Sequence, residues 1–456
     1  MPFFNRHREI DRLARALNSG HPGFMVVYGR RRCGKSRLLQ HTMRPGDIYS
    51  LADQREERLQ IQATAGDIDR IIPGFAEADY PSWESLFNTL NERAKEGMAL
   101  VLDEFPYLVQ SCSALPSLVQ KFIDNPSRRI HLVICGSSQR MMHGLVLDAV
   151  APLYGRADEI LKIQPLESGW IMDAIEGDSI SAIEHYSILG GVPRYWELAS
   201  PFASLGVIVK ELILDRNGVL HREPSRILFD DVRTIAQASS ILSLIANGCH
   251  RLSEIGSRLG KPVSSLTRPV ATLIELGYVR KEQPFGENPK SSKKSLYKID
   301  DPFLLFWYRH VSPNQSLLEA DLIEPVMDVV LQRLPEHVSE VWEVLAQRSV
   351  PCLSIEGYQW KTAQRWWGKG TNGKQMELDL VAESFDGTAL LIGEVKWEKT
   401  TNLQRVTEKL NESIANFPLV KGKKVIPVVW LKQGDSRKAE PDVHVVTPAD
   451  ALAVLR

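Results

Sequence analysis

The sequence predicts a multidomain α/β protein in which a small module of helices and a hairpin separates two α/β regions. Near the amino terminus, short apolar runs alternate with amphipathic helical segments, which is typical of a parallel sheet covered on both faces. Residues 236–300 change to three helical segments and two short strands, and strand candidates return after residue 336. At ~100–200 residues per domain, the 456 residues allow roughly two to four domains.

Composition excludes several classes of protein. Hydrophobic residues make up 43% and charged residues 24%, which are ordinary values for a globular chain. The 55 basic and 56 acidic residues give a net charge of −1, so only a local basic patch could bind nucleic acid. The five cysteines form no CxxC pair, which argues against a zinc ribbon and favours a cytoplasmic protein. Because no apolar run reaches about 18 residues, we expect no membrane partner.

The first α/β region is expected to span residues 1–165. Its buried-strand candidates are Phe24–Tyr28, Met98–Leu102 and Ile130–Cys135. Each is a short apolar run bounded by polar or glycine residues, as expected for a strand buried on both faces. A helical stretch follows over about residues 167–231.

A glycine-rich loop follows the first strand and precedes a helical run. Gly29–Ser36 (GRRRCGKS) matches G-x-x-x-x-G-K-[ST] at every fixed position, and this strand–loop–helix context is the one that the phosphate-binding P-loop requires. Lys35 would bridge the β- and γ-phosphates, and Ser36 would ligate Mg²⁺. The expected nucleotide-binding residues here are Gly29, Arg30, Arg31, Arg32, Cys33, Gly34, Lys35, Ser36 and Arg37. The three arginines would contact phosphate, a neighbouring subunit or DNA, or form a solvated charge run.

Two acidic residues end the second strand candidate, in the sequence LVLDE. Asp103 would hold the Mg²⁺ shell, and Glu104 would orient or deprotonate the attacking water. The alternative is an aspartate that caps the following helix. After the third strand candidate, Ser137 would sense the γ-phosphate or cap a helix. Arg156 would stabilise transition-state charge in its own or a neighbouring subunit, or form a structural salt bridge.

Residues 1–235 resemble the archaeal-type ATPase family, in the AAA+/STAND branch of P-loop NTPases. The resemblance rests on FFNRHREIDRL, VVYGRRRCGKSRLL, LVLDEFPYL, VICGSSQRMM, APLYGRADEI and LGGVPRYWE. It implies an AAA+ core over residues 1–165, a helical lid over 166–235, and ATP hydrolysis with Mg²⁺.

Residues 236–312 have the pattern of a winged helix, three helices and a hairpin. In that fold the third helix enters the major groove and the wing touches the DNA backbone. The third helix offers Ser264, Ser265, Thr267 and Arg268, and the wing offers Lys290, Lys293, Lys294 and Lys298. These residue types contact phosphate more than bases, so non-specific or structure-specific DNA binding is favoured. The alternative is a module that makes only protein contacts.

Residues 313–456 are expected to hold a connector and a second α/β domain. Period-2 alternation puts Glu377 and Asp379 on one face of a strand, and Glu394 and Lys396 on one face of the next. Two acids and a lysine on paired strands can bind a divalent ion and activate water beside a phosphodiester.

The ELD…GEVKW pair resembles the PD-(D/E)xK restriction-endonuclease-like superfamily, although Leu378 stands where that superfamily has proline. The resemblance implies that Asp379 and Glu394 bind Mg²⁺ or Mn²⁺, that Lys396 is catalytic, and that Glu340 supplies a further acid from the preceding helix. The alternatives are a hairpin with exposed salt bridges, or a nuclease fold that binds nucleic acid without cutting it.

Two functions follow from these motifs. The first is an ATPase that acts on DNA and carries a metal-dependent deoxyribonuclease domain. The second is a STAND-like, nucleotide-controlled switch whose C-terminal domain binds nucleic acid only. The poor base-reading capacity of the third helix disfavours a sequence-specific transcription factor. The sequence leaves open whether the protein is a homo-oligomer.

Overall fold

The computed structural model describes residues 5–232, 234–288, 294–398, 402–420, 422–433 and 443–456. The chain divides into two compact units. We term Phe3–Pro165 with Arg226–Arg233 the amino-terminal unit, and Leu166–Ser225 with Thr234–Arg456 the carboxy-terminal unit. The stretch predicted as a lid, 166–235, is therefore shared between the two units. Among the described helices, none is both long and apolar enough to span a bilayer.

The amino-terminal unit is built on a five-stranded sheet in the order β2-β3-β4-β1-β5. All its strand pairs are parallel, which confirms the predicted parallel sheet. The strands are β1 (Phe24–Tyr28), β2 (Ile48–Leu51), β3 (Ala99–Asp103), β4 (His131–Gly136) and β5 (Glu159–Lys162). The helices are α1 (His7–Leu17), α2 (Lys35–Thr42), α3 (Glu57–Asp69), α4 (Trp83–Arg93), α5 (Phe105–Ser111), α6 (Leu115–Ile123) and α7 (Gln139–Val146). Strands β3 and β4 are buried along their whole length, because helices cover both faces of the sheet.

A set of short helices opens the carboxy-terminal unit. They are α8 (Ser179–Leu189), α9 (Pro193–Ala199) and α10 (Leu205–Ile208), and α11 (Glu223–Asp231) then connects the two units. Most of α8 is buried, because it packs against helices near the end of the chain as well as its own neighbours.

The predicted three helices and hairpin follow. They are α12 (Ile235–Ala246), α13 (Leu252–Leu259), α14 (Val263–Glu275), β6 (Val279–Glu282) and the antiparallel β7 (Leu296–Ile299). Gly277, with φ +79°, follows the end of α14 and turns the chain into β6. A side chain would be strained at that φ, so glycine makes the turn from helix to strand possible.

The last part of the chain forms a mixed five-stranded sheet in the order β12-β11-β10-β9-β8. After α15 (Pro302–Phe306) and α16 (Gln315–Glu319), the 27-residue helix α17 (Ile323–Ser349) leads into it. The remaining elements are β8 (Gln364–Lys369), β9 (Gln375–Glu383), β10 (Ala389–Lys396), α18 (Leu403–Ala415), β11 (Lys424–Leu431), β12 (His444–Val446) and α19 (Pro448–Val454). Strands β8, β9 and β10 are antiparallel, whereas β10, β11 and β12 are parallel. Helix α17 packs against β9 and β10, and α18 packs against β9, β10 and β11.

Candidate functional site

The glycine-rich loop joins the carboxyl end of β1 to the first residue of α2. Gly29 has φ +149°, and a Cβ there would collide with the backbone oxygen of Ile163. Gly34 has φ +87° at the N-terminal cap of α2. Both positions therefore require glycine. The loop and the free N–H groups of the first turn of α2 together form an anion-binding concavity.

Several side chains hold this loop in place. Lys35 is only 5% exposed, and its Nζ donates a 3.1 Å hydrogen bond to the backbone oxygen of Arg30, which is itself buried. Arg6 donates to the backbone oxygen of Cys33 at 3.2 Å. Arg32 has a left-handed backbone, with φ +69°, and Arg37 is exposed on α2. Lys35 is thus hydrogen-bonded to the loop that would bind the phosphates.

Asp103 lies at the end of β3 and is fully buried. Its Oδ1 accepts a hydrogen bond from the Glu104 N–H at 2.8 Å, and its Oδ2 accepts one from Tyr49 Oη at 2.6 Å. Glu104, and not Asp103, occupies the N-terminal cap of α5, without a side-chain cap bond. The alternative role of Asp103 as a helix cap is therefore absent. Asp103 and Ser36 both neighbour Tyr49, and their carboxylate and hydroxyl oxygens are ligands of the type that Mg²⁺ prefers, so these residues fit the expected ion.

Glu104 and Ser137 meet at the carboxyl ends of the neighbouring strands β3 and β4. Glu104 Oε2 accepts hydrogen bonds from Ser137 Oγ at 2.8 Å and from the Ser137 N–H at 3.2 Å. The helix-capping role falls to the next residue, because Ser138 Oγ accepts from the Met141 N–H at the start of α7. The carboxylate expected to activate water is therefore held by the residue expected to sense phosphate.

The segment that follows Ser225 packs beside the same loop. Arg31 Nη1 lies 3.4 Å from Asp230 Oδ2, and Ser138 Oγ donates to the Asp230 backbone oxygen at 2.7 Å. Asp231 Oδ1 accepts from the Gln139 N–H at 3.0 Å. The carboxyl end of α11 thus contacts both the loop and the residues after β4, and Arg31 is ion-paired.

Arg156 lies near the amino-terminal ends of the strands, opposite to the carboxyl ends where the glycine-rich loop lies. Its Nε is 3.0 Å from Asp124 Oδ1, and its Nη1 donates to the Pro152 backbone oxygen. Two residues later, Asp158 is hydrogen-bonded to Phe24, which is the first residue of β1. The glycine-rich loop instead follows the last residue of β1. Since five strand residues span about 13–16 Å, Arg156 does not reach phosphate bound by its own loop. Of the three alternatives for Arg156, the structure contains the salt bridge with Asp124, and a role in a neighbouring subunit stays a prediction.

A second cluster of charged groups lies on the paired strands β9 and β10. Asp379 Oδ2 accepts from the Val395 N–H at 3.0 Å. Glu394 is only 5% exposed, and its Oε1 lies 2.7 Å from Lys396 Nζ and 3.0 Å from Lys409 Nζ. The structure therefore brings Asp379, Glu394 and Lys396 together as predicted, and it adds Lys409 from α18. Glu377 is not part of the cluster, because it pairs with Arg365.

Burial and mutual charge shift the acids of this cluster in opposite directions. Burial and the neighbouring Glu394 carboxylate raise the pKa of Asp379. Burial would also raise the pKa of Glu394, but Lys396 and Lys409 outweigh it and lower that pKa. Across the described residues, no group of three or more His, Cys, Asp or Glu side chains is arranged to hold a metal ion. Asp379 and Glu394 do supply carboxylate oxygens, the ligand type that divalent cations prefer, and a bound cation would relieve their repulsion.

Glu340 is not the acid that α17 brings to this cluster. Its carboxylate is 2.6 Å from Arg309 Nη2 and 3.5 Å from Lys298 Nζ, and these cations outweigh burial and lower its pKa to about 2. Glu343, one turn further along, is close enough to the cluster that burial and the Asp379 charge raise its pKa to about 7. The sequence offered a signal for Glu343, since HVSEVWEVLAQR contains both acids on one helix.

The predicted DNA-binding residues divide into two groups. Ser264, Ser265, Thr267 and Arg268 are all exposed on α14, as a recognition helix requires. Lys294 pairs with Glu287 at 2.7 Å, and Lys298 pairs with Glu340, so Lys298 is not available to a DNA backbone. Lys290 and Lys293 lie outside the described residues.

The segment after β6 docks on the C-terminal sheet. The Phe285 N–H donates to the Arg365 backbone oxygen at 2.8 Å, and the Phe285 ring packs against the core of that sheet. Glu282 lies 3.4 Å from Arg365. This part of the wing therefore makes a tertiary contact within the carboxy-terminal unit.

Three family models match parts of the chain. A model described as an ATPase domain predominantly from Archaea matches residues 3–198, and the IclR helix-turn-helix domain matches residues 234–283. A third model, described as archaeal and bacterial proteins of unknown function, matches residues 307–409. The first match includes the glycine-rich loop, Asp103 and Glu104, so the amino-terminal unit carries a P-loop ATPase domain.

An uncharacterized protein of Methanocaldococcus jannaschii, MJECL04, is 30% identical over 405 residues, which cover 87% of this chain and 88% of that protein. Among solved structures, the Walker-type ATPase PABY2304 of Pyrococcus abyssi is 20% identical with a TM-score of 0.45, over 67% of this chain and 96% of that chain. The ORC2 protein of Aeropyrum pernix, in ADPNP–ADP complexes, is 15% identical with a TM-score of 0.46, over 71% and 96%. The M. jannaschii match extends over both units.

Proposed function

Since the chain carries an archaeal-type ATPase domain and belongs to the family of the M. jannaschii protein MJECL04, we propose that it hydrolyses ATP, acts on DNA and carries a metal-dependent nuclease site in its C-terminal sheet. The observation that carries the proposal is the convergence of Asp379, Glu394 and Lys396 on two paired strands. This cluster belongs to a chain whose other unit holds a complete P-loop and its two acids.

At the nucleotide site, each residue would have a separate task. The glycine-rich loop and Lys35 would bind the phosphates, and Ser36 and Asp103 would hold Mg²⁺, which neutralises charge on the phosphates. Glu104 would accept a proton from the attacking water, and Ser137 would position Glu104 through their 2.8 Å hydrogen bond. Such a bond restricts the Glu104 carboxylate to one rotamer before the nucleotide reacts.

At the C-terminal cluster, Asp379 and Glu394 would hold a divalent cation, which activates water toward a phosphodiester. Lys396 would stabilise charge on the phosphate or on the nucleophile. Glu343 takes the place of Glu340 as the acid contributed by the helix. The exposed face of α14 would hold DNA through phosphate contacts, with an affinity that falls as salt rises.

The proposal predicts cleavage that depends on Asp379. Linear, supercoiled, forked and single-stranded DNA would be incubated with Mg²⁺ or Mn²⁺, with and without ATP. We expect Asp379→Asn to lower cleavage about 100-fold or more, because a ligand of the activating cation is lost. Glu377→Gln is the matched control, since it changes an acid on the same strand that pairs with Arg365. Equal cleavage by wild type and Asp379→Asn would exclude this site.

A second function is favoured by one observation, the docking of the wing on the C-terminal sheet. A chain built in this way would serve as a nucleotide-controlled switch whose C-terminal domain binds nucleic acid without cutting it. Wild-type protein that binds DNA but cleaves none of the substrates would favour this second function.

A further inference from the structure

Tyr49 links the two residues that would bind Mg²⁺ at the nucleotide site. It lies on β2, beside β3, and its Oη donates to Asp103 Oδ2 at 2.6 Å. The Ser36 side chain lies within hydrogen-bonding reach of the same hydroxyl. Ser36, Tyr49 and Asp103 therefore form a continuous chain of three hydrogen-bonding groups, of which the sequence motifs include only the first and the last.

The direction of this chain follows from the protons that each group carries. An ionised carboxylate only accepts hydrogen bonds, so the single Tyr49 proton goes to Asp103. The Tyr49 oxygen can then only accept from Ser36, whose proton points at Tyr49. The lone pairs of the Ser36 oxygen are consequently turned away from Tyr49, and a cation can be bound only through such lone pairs.

We propose that Tyr49 is a positioning residue for the metal ion of the nucleotide site, acting by orienting the Ser36 hydroxyl and the Asp103 carboxylate. The inference rests on the proposed ATPase function. Asp103 keeps other neighbours, the Glu104 N–H at its Oδ1 and the Cys135 thiol, so Tyr49 acts on Oδ2 in particular. Removing the Tyr49 hydroxyl would leave that oxygen and the Ser36 proton without their present partners, while the aromatic ring would keep its packing.

The test is a titration of metal with Tyr49→Phe. Mn²⁺, used in place of Mg²⁺, would be titrated onto protein and ADP and followed by electron paramagnetic resonance. ADP binding in EDTA would be measured separately. Loss of a hydrogen-bond partner behind a metal ligand typically weakens metal affinity by about 10–100-fold. We therefore expect Tyr49→Phe to raise the Mn²⁺ dissociation constant by about 10-fold or more, with ADP binding in EDTA unchanged.

Tyr80→Phe is the matched control. It removes a buried tyrosine hydroxyl from the same unit, one that donates to the Phe75 backbone oxygen at 2.9 Å. This variant is expected to bind Mn²⁺ with wild-type affinity. The same Mn²⁺ affinity in Tyr49→Phe as in wild type would overturn the inference. So would an equal loss of ADP binding in EDTA, because that result would assign Tyr49 a structural role only. Wild-type protein that binds neither ADP nor Mn²⁺ would overturn the ATPase proposal along with it.

Discussion

Glu104 combines a strained backbone with a fixed side chain. Its φ of +53° is a left-handed conformation that non-glycine residues rarely adopt, at a cost of about 1–3 kcal/mol. Hydrogen bonds to both ends of the residue, from its N–H to Asp103 and from Ser137 to its carboxylate, maintain the conformation. Strain supported in this way is typical of functional positions, and it places the carboxylate beside the residue that follows β4.

We expect Glu104→Gln to bind ATP with near wild-type affinity but to hydrolyse it about 100- to 10,000-fold more slowly, because the amide cannot accept the proton of the attacking water. Binding would be measured by equilibrium titration and hydrolysis by single-turnover release of phosphate. Lys35→Ala provides the contrast, since it is expected to lose binding as well. Hydrolysis by Glu104→Gln at the wild-type rate would show that another residue activates the water.

At the scale of an element, three of the acids on helix α17 lie in three different environments. Glu336 is exposed, Glu340 is ion-paired with Arg309 and Lys298, and Glu343 is half-buried near Asp379. The pKa is lowered to about 2 at Glu340 and raised to about 7 at Glu343, although the two acids are only three positions apart. The residues packed against each turn therefore determine the pKa of each acid, and helical periodicity alone does not.

The raised pKa of Glu343 predicts a pH-dependent stability. From its ordinary value of 4.5 the pKa rises to about 7 in the fold, so folding favours the protonated acid. Its contribution is complete below about pH 4.5 and is lost as the pH rises through about 7. Glutamine at this position has no charge to bury. Between pH 5 and pH 8 we therefore expect Glu343→Gln to gain about 2 kcal/mol in free energy of unfolding relative to wild type.

Urea unfolding in EDTA would measure this difference. Glu336→Gln, on the exposed part of the same helix, is the control and should show no relative gain over this range. A flat difference between wild type and Glu343→Gln would mean that the Glu343 carboxylate is solvated in solution.

At the scale of the whole molecule, local patterns predicted the elements, and tertiary contacts decided which residues meet. The glycine-rich loop, the LVLDE strand and the GEVK strand could be found because each is a continuous run whose chemistry follows from spacing. Tyr49 could not, because a single tyrosine in a strand is typical of any sheet. The docking of Phe285 on the C-terminal sheet and the position of Arg156 near the amino-terminal ends of the strands could not be predicted either, since neither leaves a local sequence pattern.

The separation of the nucleotide loop and the helix-turn-helix module into different units leads to the last prediction. If ATP turnover is coupled to DNA, DNA should stimulate hydrolysis, and a charge reversal on α14 should abolish the stimulation without changing the basal rate. Arg268→Glu is the variant, because Arg268 is an exposed cation of α14. Arg258→Glu is the control, with the same change of charge on the exposed side of α13.

Steady-state phosphate release would be measured with and without duplex DNA at two salt concentrations, since phosphate contacts weaken as salt rises. Stimulation lost only in Arg268→Glu would place DNA at α14. A wild-type rate that ignores DNA would instead favour the nucleotide-controlled switch, whose turnover need not respond to DNA.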